Sequence, residues 1–245
     1  NVIGIVGNSS STRNIKLRND TTDAEQDFLF DGTQAGKTAI TNWLSGAVGK
    51  IVTLYNEGLG GSNYDFNQTN PSNQPIFNTT LWLVDYNGAN LASETSLNSP
   101  ILGSDSTVLA SFTTQDELKL QGYFEEHQSN ARYISLMSDT LNTLSSALDY
   151  RLSSLTTVNY TSQTQMNVNK VITMINDSNV LSLYDGSTLV GSMSKTTPFN
   201  NNANFNLGYQ TRGNNQFTGL GKGIIVQNGL LSASAITTLR GEITI

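Results

Sequence analysis

Residues 15–78 read IKLRNDTTDAEQDFLFDGTQAGKTAITNWLSGAVGKIVTLYNEGLGGSNYDFNQTNPSNQPIFN, and this stretch decides how the fold is interpreted. At its start Ile15 and Leu17 alternate with Lys16 and Arg18, which is the pattern of a strand with one buried face. Farther along, KIVTLY predicts a second strand. The chain after this stretch continues in short segments rich in Ser, Thr and Asn. We therefore expect an all-β fold.

The composition fits a single β-sandwich domain over residues 1–245. Sandwiches of roughly 200–250 residues commonly form one unit. The net charge of −6 argues against nucleic-acid binding, which needs clustered Lys and Arg. No apolar run approaches the ~20 residues of a membrane span, so no membrane insertion is expected. The absence of cysteine excludes disulfides, Cys-ligated zinc and thiol catalysis.

One short helix is predicted at residues 38–48, where Ile40, Trp43 and Leu44 recur at helical spacing. Thr38 is the expected cap, and Gly49 the expected stop. A tryptophan on the apolar face of a short helix is more often part of the core than a ligand platform. Trp43 is therefore not counted among the candidate binding residues.

Carboxylates cluster just before this helix, in NDTTDAEQDFLFDG. Asp20, Asp23 and Asp27 are candidate ligands for Ca²⁺, a hard cation that needs six to eight converging oxygens. The alternative is a solvated turn between strands. No other cofactor is expected.

The glycine-rich segment NEGLGGSN at residues 56–63 is not expected to bind phosphate. A phosphate-binding loop joins a strand to a helix and usually carries a Lys, whereas this segment leads into YDFNQ with no Lys.

The order IKLR, DAEQDF, FDG, a helix ending in WL, VTLYNEGLGGSNYDFNQT and SNQPIF resembles a family related to the catalytic domain of fungal α-L-arabinofuranosidase B. Relatives of that domain also occur in phage tail and virion proteins. The resemblance implies a concanavalin A-like, laminin G-like jelly-roll β-sandwich of two antiparallel sheets. In this chain Asn56-Glu57 replaces the usual Asp-Gln, and the loop is longer. The disulfide-bearing segment that carries the family's catalytic carboxylates has no counterpart in a chain without cysteine.

Later segments supply further expectations. Asn87-Gly88 and Asp185-Gly186 are dipeptides of tight hairpin turns, so each predicts a pair of strands. Residues 139–155 keep both helical and alternating spacing, which leaves strand or helix open. The closing segment, FNLGYQTRGNNQFTGLGKGIIVQNGLLSASAITTLRGEITI, is similar to the last strands of laminin G-like domains, and this similarity implies a terminal strand.

The predicted binding surface combines two loops. Sugar recognition uses aromatic rings that stack on pyranose faces and amide or carboxylate groups that bond hydroxyls. The first loop offers Tyr55, Asn56, Glu57, Asn63, Tyr64 and Asp65, and the second offers Tyr209, Arg212, Asn214 and Asn215. The alternative is that both are ordinary hydrogen-bonded loops.

Catalysis has less support in the sequence. A Ser/His/Asp set is not evident because His127 is the only histidine, and no carboxylate pair lies in a segment matching the family's catalytic one. We expect a non-enzymatic virion or phage surface module, such as a fibre, spike or capsid-decorating protein, located at the virion surface or outside cells. Its expected partners are host-surface glycans or other virion proteins, and it is expected to form homo-oligomers. The alternative is a glycoside hydrolase related to α-L-arabinofuranosidase.

Overall fold

The computed structural model describes residues 13–30, 32–55, 65–87, 89, 91–93, 105–115, 121–129, 132–138, 150–152, 154–156, 168–178, 180–194, 204–210 and 215–243. Its strands are β1 (Ile15–Asn19), β2 (Glu25–Phe28), β3 (Gly49–Leu54), β4 (Phe66–Asn67), β5 (Ile76–Asn78), β6 (Leu83–Asp85), β7 (Leu91–Ser93), β8 (Ser106–Thr114), β9 (Gln121–Ser129), β10 (Arg132–Ser138), β11 (Tyr150–Leu152), β12 (Ser154–Thr156), β13 (Asn169–Asp177), β14 (Val180–Asp185), β15 (Thr188–Ser194), β16 (Asn204–Leu207), β17 (Tyr209–Gln210), β18 (Asn215–Gln216) and β19 (Gly219–Asn228). The helices are α1 (Gln34–Leu44), α2 (Ala233–Ile243) and a 3₁₀ helix at Pro71–Asn73.

Strand β3 joins two runs of antiparallel strands. On one side it pairs with β1, which in turn pairs with β2. On the other side its carboxyl end pairs with β4, as Leu54 lies opposite Phe66, and its amino end pairs with β5, as Gly49 lies opposite Phe77. From β4 the first run continues through β7, β16, β9 and β10, and from β5 the second continues through β6, β19, β8, β13, β14 and β15. The predicted all-β sandwich is confirmed.

The chain between β4 and β5 leaves the edge of β3 and returns to it. Gln68 donates its N–H to the Val52 carbonyl at 2.9 Å, and Ile51 donates to the Pro75 carbonyl at 2.8 Å. The excursion between them contains the 3₁₀ helix, whose Asn70 cap accepts the Ser72 N–H at 3.1 Å. Because both hydrogen bonds belong to the same strand, β3 holds the two runs together at the point where they diverge.

The main core fills the space between the two runs, and both contribute to it. Tyr123 of β9 stacks on Phe112 of β8 at 4.6 Å and donates its hydroxyl to the Ser111 carbonyl at 3.0 Å. Tyr86 and Phe217 complete this aromatic group, with ring centroids 5.8 Å apart. A tyrosine from one run therefore finds both its ring partner and its hydrogen-bond acceptor on the other.

Helix α2 covers the opposite face of the second run. Ile236 and Ile243 pack with Leu109 of β8 and Ile225 of β19 in a separate apolar cluster. Val108 and Ala110, the neighbours of Leu109, belong to the main core, so β8 is buried on both faces.

The predicted terminal strand is wrong, because the chain forms α2 there. Ser232 accepts the Ala235 N–H at 3.2 Å and so caps the first turn. Ile236, Leu239 and Ile243 lie at helical spacing and reach the apolar surface of β8 and β19. Burial of this helical face outweighs the β-propensity of the Ile and Thr residues.

The predicted helix exists but begins and ends earlier, at Gln34–Leu44 instead of residues 38–48. Thr33, and not Thr38, accepts the capping N–H from Gly36, at 3.2 Å. The helix ends at Ser45, which is left-handed with φ 50°, before Gly49 is reached. The predicted apolar face is confirmed, since Ile40 and Leu44 are buried and Trp43 packs against the core.

The two predicted hairpins have different outcomes. Asp185 pairs with Thr188 across a turn in which Gly186 has φ 53°, so the β14–β15 hairpin is confirmed. At Asn87-Gly88 the two flanking strands are confirmed but the hairpin is wrong, because β6 pairs with β5 and β19 while β7 pairs with β4 and β16. That turn carries the chain from the second run to the first. Within residues 139–155, the described parts are β11 and the start of β12.

Alanine at Gly208 tests how tightly the chain packs between β16 and β17, and alanine at Gly186 is the matched control. Both have positive φ, so alanine at either costs roughly 1–2 kcal/mol in backbone strain. A Cβ at Gly208 would also meet the Tyr86 ring and lie 2.8 Å from the Ala89 carbonyl oxygen, whereas one at Gly186 meets nothing within 4 Å. We expect Gly208→Ala to lower the free energy of unfolding by about 2–5 kcal/mol, and Gly186→Ala by about 1–2 kcal/mol. Urea unfolding followed by circular dichroism measures both, and equal losses would contradict the described packing.

Candidate functional site

Three polar side chains meet at the end of β3 that leads into residues 56–64. Ile15 lies opposite both Phe28 and Leu54, so the residues just beyond these pairs fall at one end of the β2–β1–β3 sheet. Asn14 extends the pairing, accepting the Tyr55 N–H and donating its own N–H to Phe28, each at 2.9 Å. Strand register therefore brings together Arg13, Asp27 and Tyr55.

These side chains form a hydrogen-bonded cluster, which we call the Arg13–Asp27–Tyr55 cluster. The Tyr55 hydroxyl donates to Asp27 Oδ1 at 2.7 Å, and Arg13 Nη1 donates to Asp27 Oδ2 at 2.8 Å. The Arg13 guanidinium also lies over the Tyr55 ring, 4.1 Å from its centroid. Each member thus contacts both others.

The cluster fixes its own charge states. Burial raises the pKa of Asp27, but the hydrogen bonds from Tyr55 and Arg13 outweigh it and hold the pKa below its ordinary value. The bond to Asp27 raises the pKa of Arg13. Burial, together with the same carboxylate, raises the pKa of Tyr55 far above the physiological range. Near pH 7 the cluster holds a cation, an anion and a neutral phenol whose proton is committed to Asp27.

The exposed part of the cluster is polar. The Arg13 side chain is 52% exposed and that of Asp27 is 35% exposed, while Tyr55 is buried. Tyr55 was predicted to offer its ring to a ligand, but Arg13 lies over that ring. In the structure Tyr55 orients Asp27, and the groups facing solvent belong to the ion pair.

Asp65 lies on the other side of the same loop. Leu54 and Phe66 pair directly, so Tyr55 and Asp65 face each other where residues 56–64 leave the sheet and return. Asp65 is buried, and its charge acts on both Arg13 and Tyr55. The other predicted residues of this loop, Asn56, Glu57, Asn63 and Tyr64, lie outside the described residues.

The two ends of the second predicted loop pair with each other as the short strands β17 and β18. Tyr209 lies opposite Gln216, and Gln210 opposite Asn215. Of Tyr209 and Asn215 only the backbone is described, and Arg212 and Asn214 lie outside the described residues. The hairpin lies beside β9.

The three candidate metal ligands have different partners. Asp20 Oδ1 accepts the Val48 N–H at 2.9 Å, and Asp23 accepts from Arg18 at 2.5 Å. Asp27 belongs to the cluster described above. Within the described ranges no group of three or more His, Cys, Asp or Glu side chains could hold a metal ion. Asp20 and Asp23 instead brace the turn between β1 and β2.

Arg13 is the site residue that sequence reasoning missed. It lies two residues before the predicted strand, among polar residues with no motif of their own. Its contact with Asp27 depends on the β1–β2 register, which is set by the length of the turn between these strands. A hairpin register predicted from that turn was the signal that could have identified it.

Comparisons with known proteins identify the fold. No family model matches this chain, and no curated protein matches it. A GH54 α-L-arabinofuranosidase soaked with a cyclic sulfate inhibitor is similar with a TM-score of 0.71 and 11% identity, over 96% of this chain and 59% of that one. Domain 4 of AbnA, a GH43 extracellular arabinanase from Geobacillus stearothermophilus in complex with arabinotriose, has a TM-score of 0.51 and 17% identity, over 77% of this chain and 81% of that one.

A sialidase from Trypanosoma rangeli in complex with the inhibitor DANA has a TM-score of 0.50 and 14% identity, covering 72% of this chain and 29% of the sialidase. The chain thus shares a β-sandwich fold with domains of carbohydrate-active proteins, and it spans 59% of the arabinofuranosidase that it matches along nearly its whole length.

In the described part of the chain, neither α-helix has the length and hydropathy needed to cross a membrane.

The cluster makes the titration of Asp27 depend on Tyr55. We expect Tyr55→Phe to raise the pKa of Asp27, because the phenol hydroxyl that donates to the carboxylate is removed. In the native chain the pKa of folded Asp27 is lowered, so its contribution to stability is present above the unfolded pKa of about 3.9 and is lost as pH falls through the folded value. Carboxyl-detected NMR titration of both chains measures the change. Asp23 is the internal control, and an unchanged Asp27 would contradict the hydrogen bond.

Proposed function

We propose that this chain is a non-enzymatic glycan-recognition module whose binding surface includes the Arg13–Asp27 ion pair at the root of loop 56–64. The observation that carries the proposal is an exposed guanidinium and carboxylate held in one orientation by the buried Tyr55. Sugar hydroxyls both donate and accept hydrogen bonds, and this pair offers an acceptor and several donors side by side.

The fixed geometry favours binding energetically. Hydrogen bonds to ionised groups are about twice as strong as those between neutral groups. Side chains that are already ordered lose less entropy on binding, a cost of roughly 0.5–1.5 kcal/mol for each flexible side chain that must be immobilised. The ion pair has no net charge, which suits a neutral sugar. Loop 56–64 would supply the remaining contacts through Asn56, Glu57, Asn63 and the Tyr64 ring.

The structural neighbours suggest which glycans to test first. The arabinanase domain was solved with arabinotriose, and the arabinofuranosidase shares the fold along nearly the whole of this chain. At these sequence identities the likeness is one of fold, and a fold does not fix a function. Arabinose-containing glycans are therefore the first ligands to test, followed by a broad panel.

The electrostatics of the cluster favour binding over hydrolysis. A glycosidase needs a general acid whose pKa is raised, but the pKa of Asp27 is lowered by its two donors. The chain also lacks the cysteines of the segment that carries the family's catalytic carboxylates. The likeness to the GH54 enzyme nevertheless makes a glycoside hydrolase the second candidate. Release of p-nitrophenol from an aryl α-L-arabinofuranoside, abolished by a carboxylate substitution, would establish that alternative.

The biological setting is proposed from the sequence resemblance. Relatives in phage tail and virion proteins suggest a particle-surface or extracellular module that binds host-surface glycans or neighbouring virion proteins. We expect the chain to form homo-oligomers, and trimers if it belongs to a fibre. Light scattering that showed only a 26.5 kDa monomer at high concentration would count against this assembly.

Substitutions in the ion pair test the binding surface. We expect the native chain to bind a defined set of glycans on an array, and Arg13→Gln or Asp27→Asn to weaken that binding at least tenfold, about 1.4 kcal/mol. Arg18→Gln is the matched control, because Arg18 also makes an ion pair on β1 but with the turn residue Asp23. Titration calorimetry with the best array ligand gives the affinities.

Two outcomes would contradict the proposal. One is a blank array for a folded chain. The other is an equal loss of affinity in the Arg13 and Arg18 variants, which would show that the effect reflects charge or stability and not contact at the cluster.

A further inference from the structure

A second surface with binding chemistry lies at the loop between β5 and β6. Asn78 pairs with Leu83, so residues 79–82 form a four-residue hairpin loop. Trp82, the last residue of the loop, has φ 60°. This left-handed conformation is rare for a bulky side chain, and Gly or Asn would adopt it with less strain.

The surrounding hydrogen bonds enforce this conformation. Trp82 donates its N–H to the Asn78 carbonyl at 2.7 Å. The Asn78 side chain accepts the N–H groups of Thr80 at 3.0 Å and Leu81 at 2.9 Å. Strained residues held in this way concentrate at ligand-binding sites, so Trp82 is a candidate binding residue.

The Trp82 ring is anchored on the core but is not enclosed by it. It stacks on Phe30 with the ring centroids 5.5 Å apart and the planes at 11°, and its centroid lies 5.8 Å from that of Phe77. Phe30 and Phe77 are themselves almost fully buried, whereas Trp82 is only partly buried. The neighbouring Leu81 is 53% exposed. A rigid indole and an apolar side chain therefore reach the surface together.

Lys37 of α1 places a positive charge over this ring. Its Nζ lies 5.2 Å from the Trp82 centroid. The ion pairs of the described residues use Arg13, Lys16, Arg18 and Lys170, and none of them involves Lys37. In a chain of net charge −6, this cation is available to an anionic ligand.

We propose that Trp82, Leu81 and Lys37 form a second carbohydrate-binding surface that selects sugars bearing a carboxylate. The C–H face of an acidic sugar packs on Leu81 and on the exposed part of the indole that Phe30 and Lys37 do not cover, and its carboxylate accepts a charge-assisted hydrogen bond from Lys37. A neutral sugar gains only the first of these contacts. The ligand class rests on the proposed glycan recognition, but the residues are separate from the Arg13–Asp27–Tyr55 cluster.

The tryptophan content of the chain allows a direct measurement. Trp43 and Trp82 are the only two, and Trp43 packs edge-on against Phe28 with the centroids 5.2 Å apart. In a Trp43→Phe chain all tryptophan emission reports on Trp82. We expect trigalacturonate to change this emission saturably at low salt, and 1 M NaCl to weaken the effect at least fivefold because screening acts on the Lys37 charge. Galactotriose, the neutral counterpart, is expected to bind at least tenfold more weakly.

Charge variants then locate the contact. Lys37→Gln, made in the Trp43→Phe chain, is expected to weaken trigalacturonate binding at least tenfold. Lys16→Gln removes the same charge from another partly buried lysine, whose carboxylate partner Glu25 is 4.0 Å away, and is expected to leave binding within twofold. Equal binding of the two trisaccharides, or equal effects of the two lysine variants, would overturn the inference.

The test also separates this surface from the proposed function. Arg13→Gln is expected to weaken array binding at the cluster at least tenfold while the response of Trp82 to trigalacturonate persists. Array binding that depends on Arg13, together with a Trp82 emission that no acidic sugar changes, would overturn the second surface alone. Failure of both measurements would overturn the glycan-recognition proposal itself.

Discussion

The structure depends on the pairing of β3 with two different neighbours along one edge. Its carboxyl end pairs with β4 and its amino end with β5, and each of these begins a separate run of strands. One strand therefore sets the register of both layers, and hydrogen bonds from Gln68 and to Pro75 hold the chain on either side of the split. The aromatic contacts of Tyr123 and Phe112 close the sandwich farther from this junction. A change in the register of β3 would displace core residues in both layers at once.

The same junction positions the candidate site. The Leu54–Phe66 pair holds the two ends of loop 56–64 together, and the pairing of Ile15 places Arg13 and Asp27 beside them. The polar groups facing solvent are thus carried by strand ends, which are placed more accurately than loop residues. The strained Trp82 follows a similar plan, because its loop is closed by the β5–β6 pairing and its ring rests on Phe30. Both proposed surfaces combine a fixed backbone with exposed side chains.

The sequence predicted features that depend on local pattern. Alternation at Ile15 and Leu17 identified β1, and helical spacing at Ile40 and Leu44 identified the buried face of α1. The start of α1 was not predicted because its first turn, Gln-Ala-Gly-Lys, contains no large apolar residue that would extend the helical spacing. Helix α2 escaped because its Ile and Thr residues favour strands until an apolar sheet face is available. At the site, Tyr55 and Asp65 were identified from composition, but the contact of Arg13 depends on the register of the β1–β2 hairpin, which alternation within one strand does not give.

The double burial of β8 has a consequence for how the chain folds. Its neighbours β13 and β19 come from far along the sequence, and the Leu231 N–H donates to the Thr107 hydroxyl across a separation of 124 residues. Closing such long loops costs conformational entropy before the stabilising contacts between their ends have formed, so chains dominated by distant pairings fold slowly. The sheet around β8, the middle strand of the second run, is complete only when β19 has paired with it up to residue 228. Leu109 stays exposed until α2 also packs on this face, and exposed apolar surface of this kind makes folding intermediates prone to aggregation.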